Sequence, residues 1–132
     1  MNIVNESGKR KCATAHVTIK KGNGKVYINN IPLEIYTPLL SREKIMEPLL
    51  LIGSKRNEMD IHVNVKGGGV SGQASAIRTA ISRGLIAYLD DPSIQDIIKG
   101  YNRYLLVNDT RRKLPKLPNG RGARSKRQKS YR

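Results

Sequence analysis

The chain has 132 residues, enough for one domain, and carries 25 Lys and Arg against 10 Asp and Glu, a formal charge of +15. That surplus points to a polyanionic partner, nucleic acid first and an acidic membrane surface second. One cysteine, Cys12, excludes an internal disulfide and suits a reducing compartment. No run is long and apolar enough to cross a membrane, and the first eleven residues lack the hydrophobic stretch of a secretory signal. Six Tyr with no Phe or Trp are a thin stacking set for a dedicated single-strand binder.

In chain order, a basic cluster at Lys9-Arg10-Lys11 precedes the first strand signal. Ala13, Ala15, Val17 and Ile19 alternate with Thr14, His16, Thr18 and Lys20, the period of a half-buried strand. Lys21 to Lys25, rich in Gly and Asn, reads as the turn of a hairpin whose returning strand is Val26-Tyr27-Ile28, closed by Asn29-Asn30. Residues 31–40 carry two prolines and read as a connector with one helical turn. Ser41 is the expected N-cap of a helix to about Ile52, with Ile45, Met46, Leu49 and Leu50 as its apolar stripe. Pro48 should kink or shorten that helix, and residues 53–57 read as a loop.

Asp60 to Lys66 alternates again, and a glycine loop from Gly67 to Gln73 leads into a long helix ending near Leu89. Ala74, Ile77, Ala80, Ile81, Gly84, Leu85 and Tyr88 share one face of it, with Arg78 and Arg83 off that face. Asp90-Asp91-Pro92 stops the helix. Ser93 is the expected cap of a short helix with Ile94, Ile97 and Ile98 inward, ended by Gly100. Leu105, Leu106 and Val107 are expected to pin the next segment to the body. The order of elements predicts an α+β body, a small mixed sheet with helices on one face.

Residues 111–132 differ in composition. They hold ten of the Lys and Arg and no acid, so the remaining 110 residues, with fifteen basic and ten acidic side chains, carry only +5. The segment contains two Pro and two Gly and has little periodic apolar character. It cannot bury enough surface to offset its own ordering, and fully extended it could reach about 70 Å. The chain therefore divides into a body, residues 1–110, and a basic C-terminal tail, residues 111–132. A charge run can be a solvated tail only. Mixed Arg and Lys with Gly and Pro also suit a segment threading between phosphates.

The strand–glycine loop–helix unit invites phosphate binding, because helix N-termini present free N–H groups and glycines let a phosphate approach the backbone. The glycines also fit a tight turn with close strand–helix packing. A Walker lysine motif is absent, and so is a dinucleotide fingerprint with its acidic partner. Cys12, His16 and His62 have no metal-ligand spacing, so no metal or cofactor is expected. Both histidines lie on the polar faces of strands, facing solvent or RNA. The carboxylates are scattered among capping, surface and turn positions, which argues against acid–base catalysis. Cys12 beside three cations could be a low-pKa thiol or simply a small strand residue.

Gly67-Gly68-Gly69, Gly72-Gln73, Ala76, Ala80 and Ser82-Arg83-Gly84-Leu85 together resemble the signature of the small-subunit ribosomal protein S nine family. The resemblance extends to Gly8-Lys9-Arg10-Lys11, Gly22 to Lys25, Asn30 to Leu33 and Asp109 to Arg112. The ending, Gly122-Ala123-Arg124 and Gln128 to Arg132, is similar to the archaeal and eukaryotic branch, and the short N-terminus to its archaeal members. The chain departs from many relatives at Lys113-Leu114-Pro115-Lys116-Leu117, where an acidic residue and its local ion pair are missing.

The resemblance implies a fold like the ribosomal protein S five domain-two type, with a left-handed βαβ crossover. It implies a non-enzymatic constituent of the small ribosomal subunit, in the cytoplasm, bound to small-subunit rRNA in the head and to neighbouring head proteins, with no membrane partner. The rRNA contacts expected in the body are Lys9, Arg10, Lys11, Lys66, the loop residues Gly67, Gly68, Gly69, Ser71, Gly72 and Gln73, and Arg78 and Arg83. Those expected in the tail are Arg111, Arg112, Lys116, Arg121, Arg124, Lys126, Arg127 and Lys129. Ser130, Tyr131 and Arg132 are expected near the anticodon stem-loop of peptidyl-site tRNA. A diverged ATP-binding domain and a basic DNA-coating protein are the competing readings.

Overall fold

The computed structural model describes residues 3–125 and 129–131. Five strands form one mixed sheet in the order β1-β2-β5-β3-β4: β1 Val4–Arg10, β2 Ala13–Lys21, β3 Val26–Ile28, β4 Ile31–Pro32 and β5 Met59–Lys66. The helices are α1 Leu39–Leu51, α2 Val70–Leu89 and α3 Pro92–Tyr101, with short 3₁₀ turns at Leu33–Ile35, Gly53–Glu58 and Arg103–Leu105.

The alternation expected in β2 and β5 is present. Ala13, Ala15, Val17 and Ile19 are buried beside Met59, Ile61, Val63 and Val65. The other face, with His16, Thr18, His62 and Asn64, stays polar and exposed or half-buried. Helix α2 crosses the apolar face and buries Ile77, Ile81 and Leu85 completely. Each such side chain contributes about 1.5–3 kcal/mol, so α2 is the principal helix of the core. The α+β class and the helices on one sheet face agree with the sequence reading.

The sheet order corrects the expected hairpin. β3 does not return beside β2, because β5 lies between them. The loop after β2 passes over the start of β5: Gly22 and Gly24 donate N–H to the carbonyls of Glu58 and Met59, and the Asp60 carboxylate accepts from the N–H groups of Asn23 and Lys25. β3 then pairs with β5 in parallel, Ile28 opposite Val63. The tight turn in this region is instead Asn29-Asn30, both with positive φ, joining β3 to β4.

β1 carried no apolar alternation, and sequence reading missed it. Its one fully buried position is Gly8, pressed against α2. A Cβ there would meet the carbonyl oxygen of Ala76 and lie 2.6 Å from the nitrogen of Ala80. Cys12 lies exposed in the β1–β2 turn and not in a strand.

Four helix details also differ. Pro38, not Ser41, occupies the N-cap of α1, and Ser41 is buried within the helix. Pro48 is buried too, and α1 continues past it to Leu51 with Leu50 64% exposed. Asp91, not Ser93, caps α3 by accepting the Ser93 N–H, with Pro92 at the first position. Ile97 and Val107 are exposed, whereas Ile94, Ile98 and Leu105 are buried.

Candidate nucleic-acid interface

The basic cluster after Gly8 and the start of the C-terminal segment meet, although about a hundred residues separate them. Asn108 Oδ1 accepts the Lys9 backbone N–H at 3.2 Å. Arg10 donates Nη1 to the Arg111 carbonyl at 2.7 Å, and Arg112 donates Nη2 to the Lys11 carbonyl at 2.9 Å. Asp109, its side chain 11% exposed, accepts the Arg111 backbone N–H and its guanidinium, and pairs with Arg10 at 3.4 Å. The hydrogen bonds from the Arg111 side chain and then its backbone hold the Asp109 carboxyl far below the usual carboxylate range. The Arg111 guanidinium also lies 5.8 Å from the centre of the Tyr104 ring. Asp109 and two backbone carbonyls hold the first turn of this segment.

Beside this junction is a pocket of about 300 Å³. The end of β1 supplies Lys9 and Arg10, the β1–β2 turn Lys11, α1 Lys44, and the first turns of α2 Ser71, Gly72, Ser75 and Arg78. Arg78 pairs with Glu47 of α1 at 2.7 Å and its side chain is 13% exposed. Lys44 was not among the expected contacts. It sits on a helix whose apolar spacing gives no sign that this residue faces the β1–β2 turn, so only packing reveals it.

The glycines of the loop sit in two different settings. Gly67 and Gly68 have φ of 75° and 68°, and a Cβ on either would press on Cys12 or Ala13 within 3 Å. Turn geometry and close packing on the β1–β2 turn account for these two. Gly69 precedes α2 in open space and offers no side-chain cap. Gln73 folds back to donate Nε2 to the Gly67 carbonyl at 3.1 Å. Lys66 is exposed at the end of β5.

Arg83 lies elsewhere. Its Nε donates to the Leu106 carbonyl at 2.8 Å and its Nη1 to the Ser7 carbonyl at 2.9 Å, fastening the segment after α3 to β1. In the C-terminal segment Lys116, Arg121, Arg124, Lys129, Ser130 and Tyr131 are all exposed, Tyr131 at 88%. Lys126, Arg127 and Arg132 lie outside the described residues. On the polar sheet face His62 stacks on Tyr27 at 5.2 Å between ring centres. Among the described residues no three His, Cys, Asp or Glu side chains gather as a metal site, and no helix is long and apolar enough to cross a membrane.

Known proteins give the arrangement its context. The family model described as ribosomal protein S9/S16 matches residues 8–132. A protein of Thermoplasma acidophilum named small ribosomal subunit protein uS9 is 53% identical over 96% of this chain and 98% of its own. Proteins of the same name from Methanothrix thermoacetophila and Halobacterium salinarum are 48% and 45% identical, over 100% and 98% of this chain and 100% and 99% of theirs. With the match running from Gly8 through the glycine loop to the last residue, the chain belongs to the ribosomal protein S9/S16 family.

Proposed function

We propose that this chain is a structural, non-catalytic constituent of the small ribosomal subunit, in the cytoplasm, that binds small-subunit rRNA and adjoining head proteins. The observation that carries the reading is the junction at Asp109. It sets Lys9, Arg10, Lys11, Arg111 and Arg112 on one surface, and eight further Lys and Arg follow in the sequence over residues 113–132. Relatives matched over nearly their full length and named for the small subunit support it. The sheet order with a parallel β3–β5 pair is compatible with the ribosomal protein S five domain-two type of fold.

In this reading the body, residues 1–110, docks on folded rRNA. The tail, residues 111–132, neutralises phosphates on a path toward the peptidyl site, ending with Ser130, Tyr131 and Arg132 at the tRNA anticodon stem-loop. Sedimentation of native lysate tests the assembly: the chain should travel with small subunits and remain after a high-salt wash. Recovery among soluble proteins at the top of the gradient rejects it. Deleting residues 130–132 tests the terminus. Assembly should be retained while peptidyl-site tRNA affinity falls, and lost assembly would assign those residues to rRNA structure instead.

A further inference from the structure

We propose that the pocket between the β1–β2 turn, α1 and the first turns of α2 holds one phosphate group, a single phosphodiester of folded RNA, with Lys44 and Arg78 among its donors. The proposal rests on the rRNA-binding reading and names the ligand group of one part of that surface.

Charge is the first argument. Lys9, Arg10, Lys11, Lys44, Arg78 and Arg111 line the pocket. The carboxylates that pair with any of them are Asp109, shared by Arg10 and Arg111, and Glu47, held by Arg78. Six cations against two carboxylates leave a surplus of four. Among the described residues Lys9, Lys11 and Lys44 have no carboxylate within ion-pair distance. Burial lowers the Lys44 pKa, and the nearby Arg78 and Arg10 charges lower it further, against a smaller opposing pull from Glu47. A bound anion reverses that balance.

Donor placement is the second argument. Arg78 lines the pocket, and its Nη1 donates to Glu47 at 2.7 Å, which fixes the guanidinium at the pocket wall. The cap residue of α2, Gly69, has no side chain, so the amides of Ser71 at the pocket and of its neighbours in the first turn receive no side-chain cap.

The lining supplies the third argument. It contains no aliphatic side chain, and its one aromatic ring, Tyr104, lies beside the Arg111 guanidinium. Such a lining offers charge and hydrogen-bond donors, which match a phosphate group.

The test uses the full chain, labelled with 15N and titrated with inorganic phosphate at ionic strength held constant with chloride. Saturable shifts are expected at the Ser71 and Gly72 amides. Lys44→Gln should weaken binding about tenfold, the effect of losing one charge-assisted hydrogen bond. Ser71→Asp places a negative charge where the helix N-terminus favours it, so the fold is kept while phosphate binding is lost. Adding a small-subunit rRNA fragment should then displace phosphate from the pocket.

Shifts confined to residues 111–132, or Lys44→Gln and Ser71→Asp variants that bind like the parent, overturn the pocket. Displacement failing while rRNA is bound overturns the phosphodiester assignment in favour of a free-phosphate site. Steeply salt-dependent rRNA binding with a silent pocket removes this inference alone. A filled pocket in a chain that never sediments with small subunits removes the ribosomal reading alone.

Discussion

Arg83 and Arg121 are the same residue type in two different regimes. Arg83 spends its donors on two backbone carbonyls and helps hold the body together. Arg121 is exposed, and beyond Arg112 no side-chain hydrogen bond or ion pair joins the described residues of the C-terminal segment to each other or to the body. Among the described residues, 3–110 contain all the helices and strands and the whole buried apolar cluster. Arg10, Arg78 and Arg83 there are held by protein groups. In the last segment Arg111 and Arg112 are held at the junction, while Lys116, Arg121, Arg124 and Lys129 are exposed. Net charge alone, +5 in one region and +10 in the other, does not disclose this difference.

The most severe way to break the comparison is to remove residues 111–132. If most of the ten cations meet phosphates, the slope of log K for rRNA against log salt should become shallower by about 7–9. The thermal midpoint of the remaining chain should stay within a few degrees, about what 1 kcal/mol moves. A body that unfolds on truncation would mean the two regions are one cooperative unit.

Gly8→Val attacks the body instead. Its branched side chain runs into the backbone of α2 at Ala76 and Ala80, and overpacking of this kind costs about 1–3 kcal/mol. Denaturant unfolding should give the same loss in the full and truncated chains. Unequal losses would show that the C-terminal segment contributes to the β1–α2 contact.

A smaller effect is expected from Asn29→Ala. The Asn29 side chain donates to the Val65 carbonyl at 3.2 Å and accepts its N–H at 2.9 Å, tying the β3–β4 turn to β5. Removing both bonds and placing Ala at positive φ should cost about 1–2 kcal/mol. An unchanged denaturation midpoint would show that backbone pairing alone fixes β3.

The finest test is acid titration of the junction. Asp109, Asp60 and Asp91 all have carboxyl pKa values lowered in the folded chain, Asp60 by the Asn23 and Lys25 amides and Asp91 by Lys55 and the Ser93 amide. Their contributions are fully present above the unfolded carboxylate value, about 3.9, and are lost as pH falls through the lower folded values. Asp109→Asn should speed proteolysis between residues 111 and 117 at neutral pH while leaving the body protected. The difference from the parent should vanish only in strong acid. Equal cleavage at neutral pH would show that the backbone bonds of Arg10 and Arg112 hold the junction without Asp109.

Much of the fold was legible where one face of an element is wholly apolar. β2, β5 and α2 came from periodicity because Ala13 to Ile19, Ile61 to Val65 and Ala74 to Leu85 lie against the core. β1 escaped because its inward position is a glycine, which buries α2's backbone and not a side chain of its own. The errors at Leu50, Ile97 and Val107 share a cause. Each is apolar at a plausible spacing, yet the neighbouring helix or strand that would cover it is absent on that side. The Lys9–Lys11 and Arg111–Arg112 clusters were visible as charge, but their meeting at Asp109 was not.

The sequence by itself determined the charge and its concentration in residues 111–132, the elements with strong local period, and the signature around the glycine loop that places the chain in its family. These are properties of composition and near neighbours. Tertiary structure decided which strand lies beside which, which cations are engaged, and how Lys44 and Arg78 come to share a pocket with Lys9 to Lys11. A side-chain period says that a face is buried and is silent about its partner. The loop over β5 and the Asp109 junction depend on hydrogen bonds between residues tens of positions apart, which no local pattern encodes.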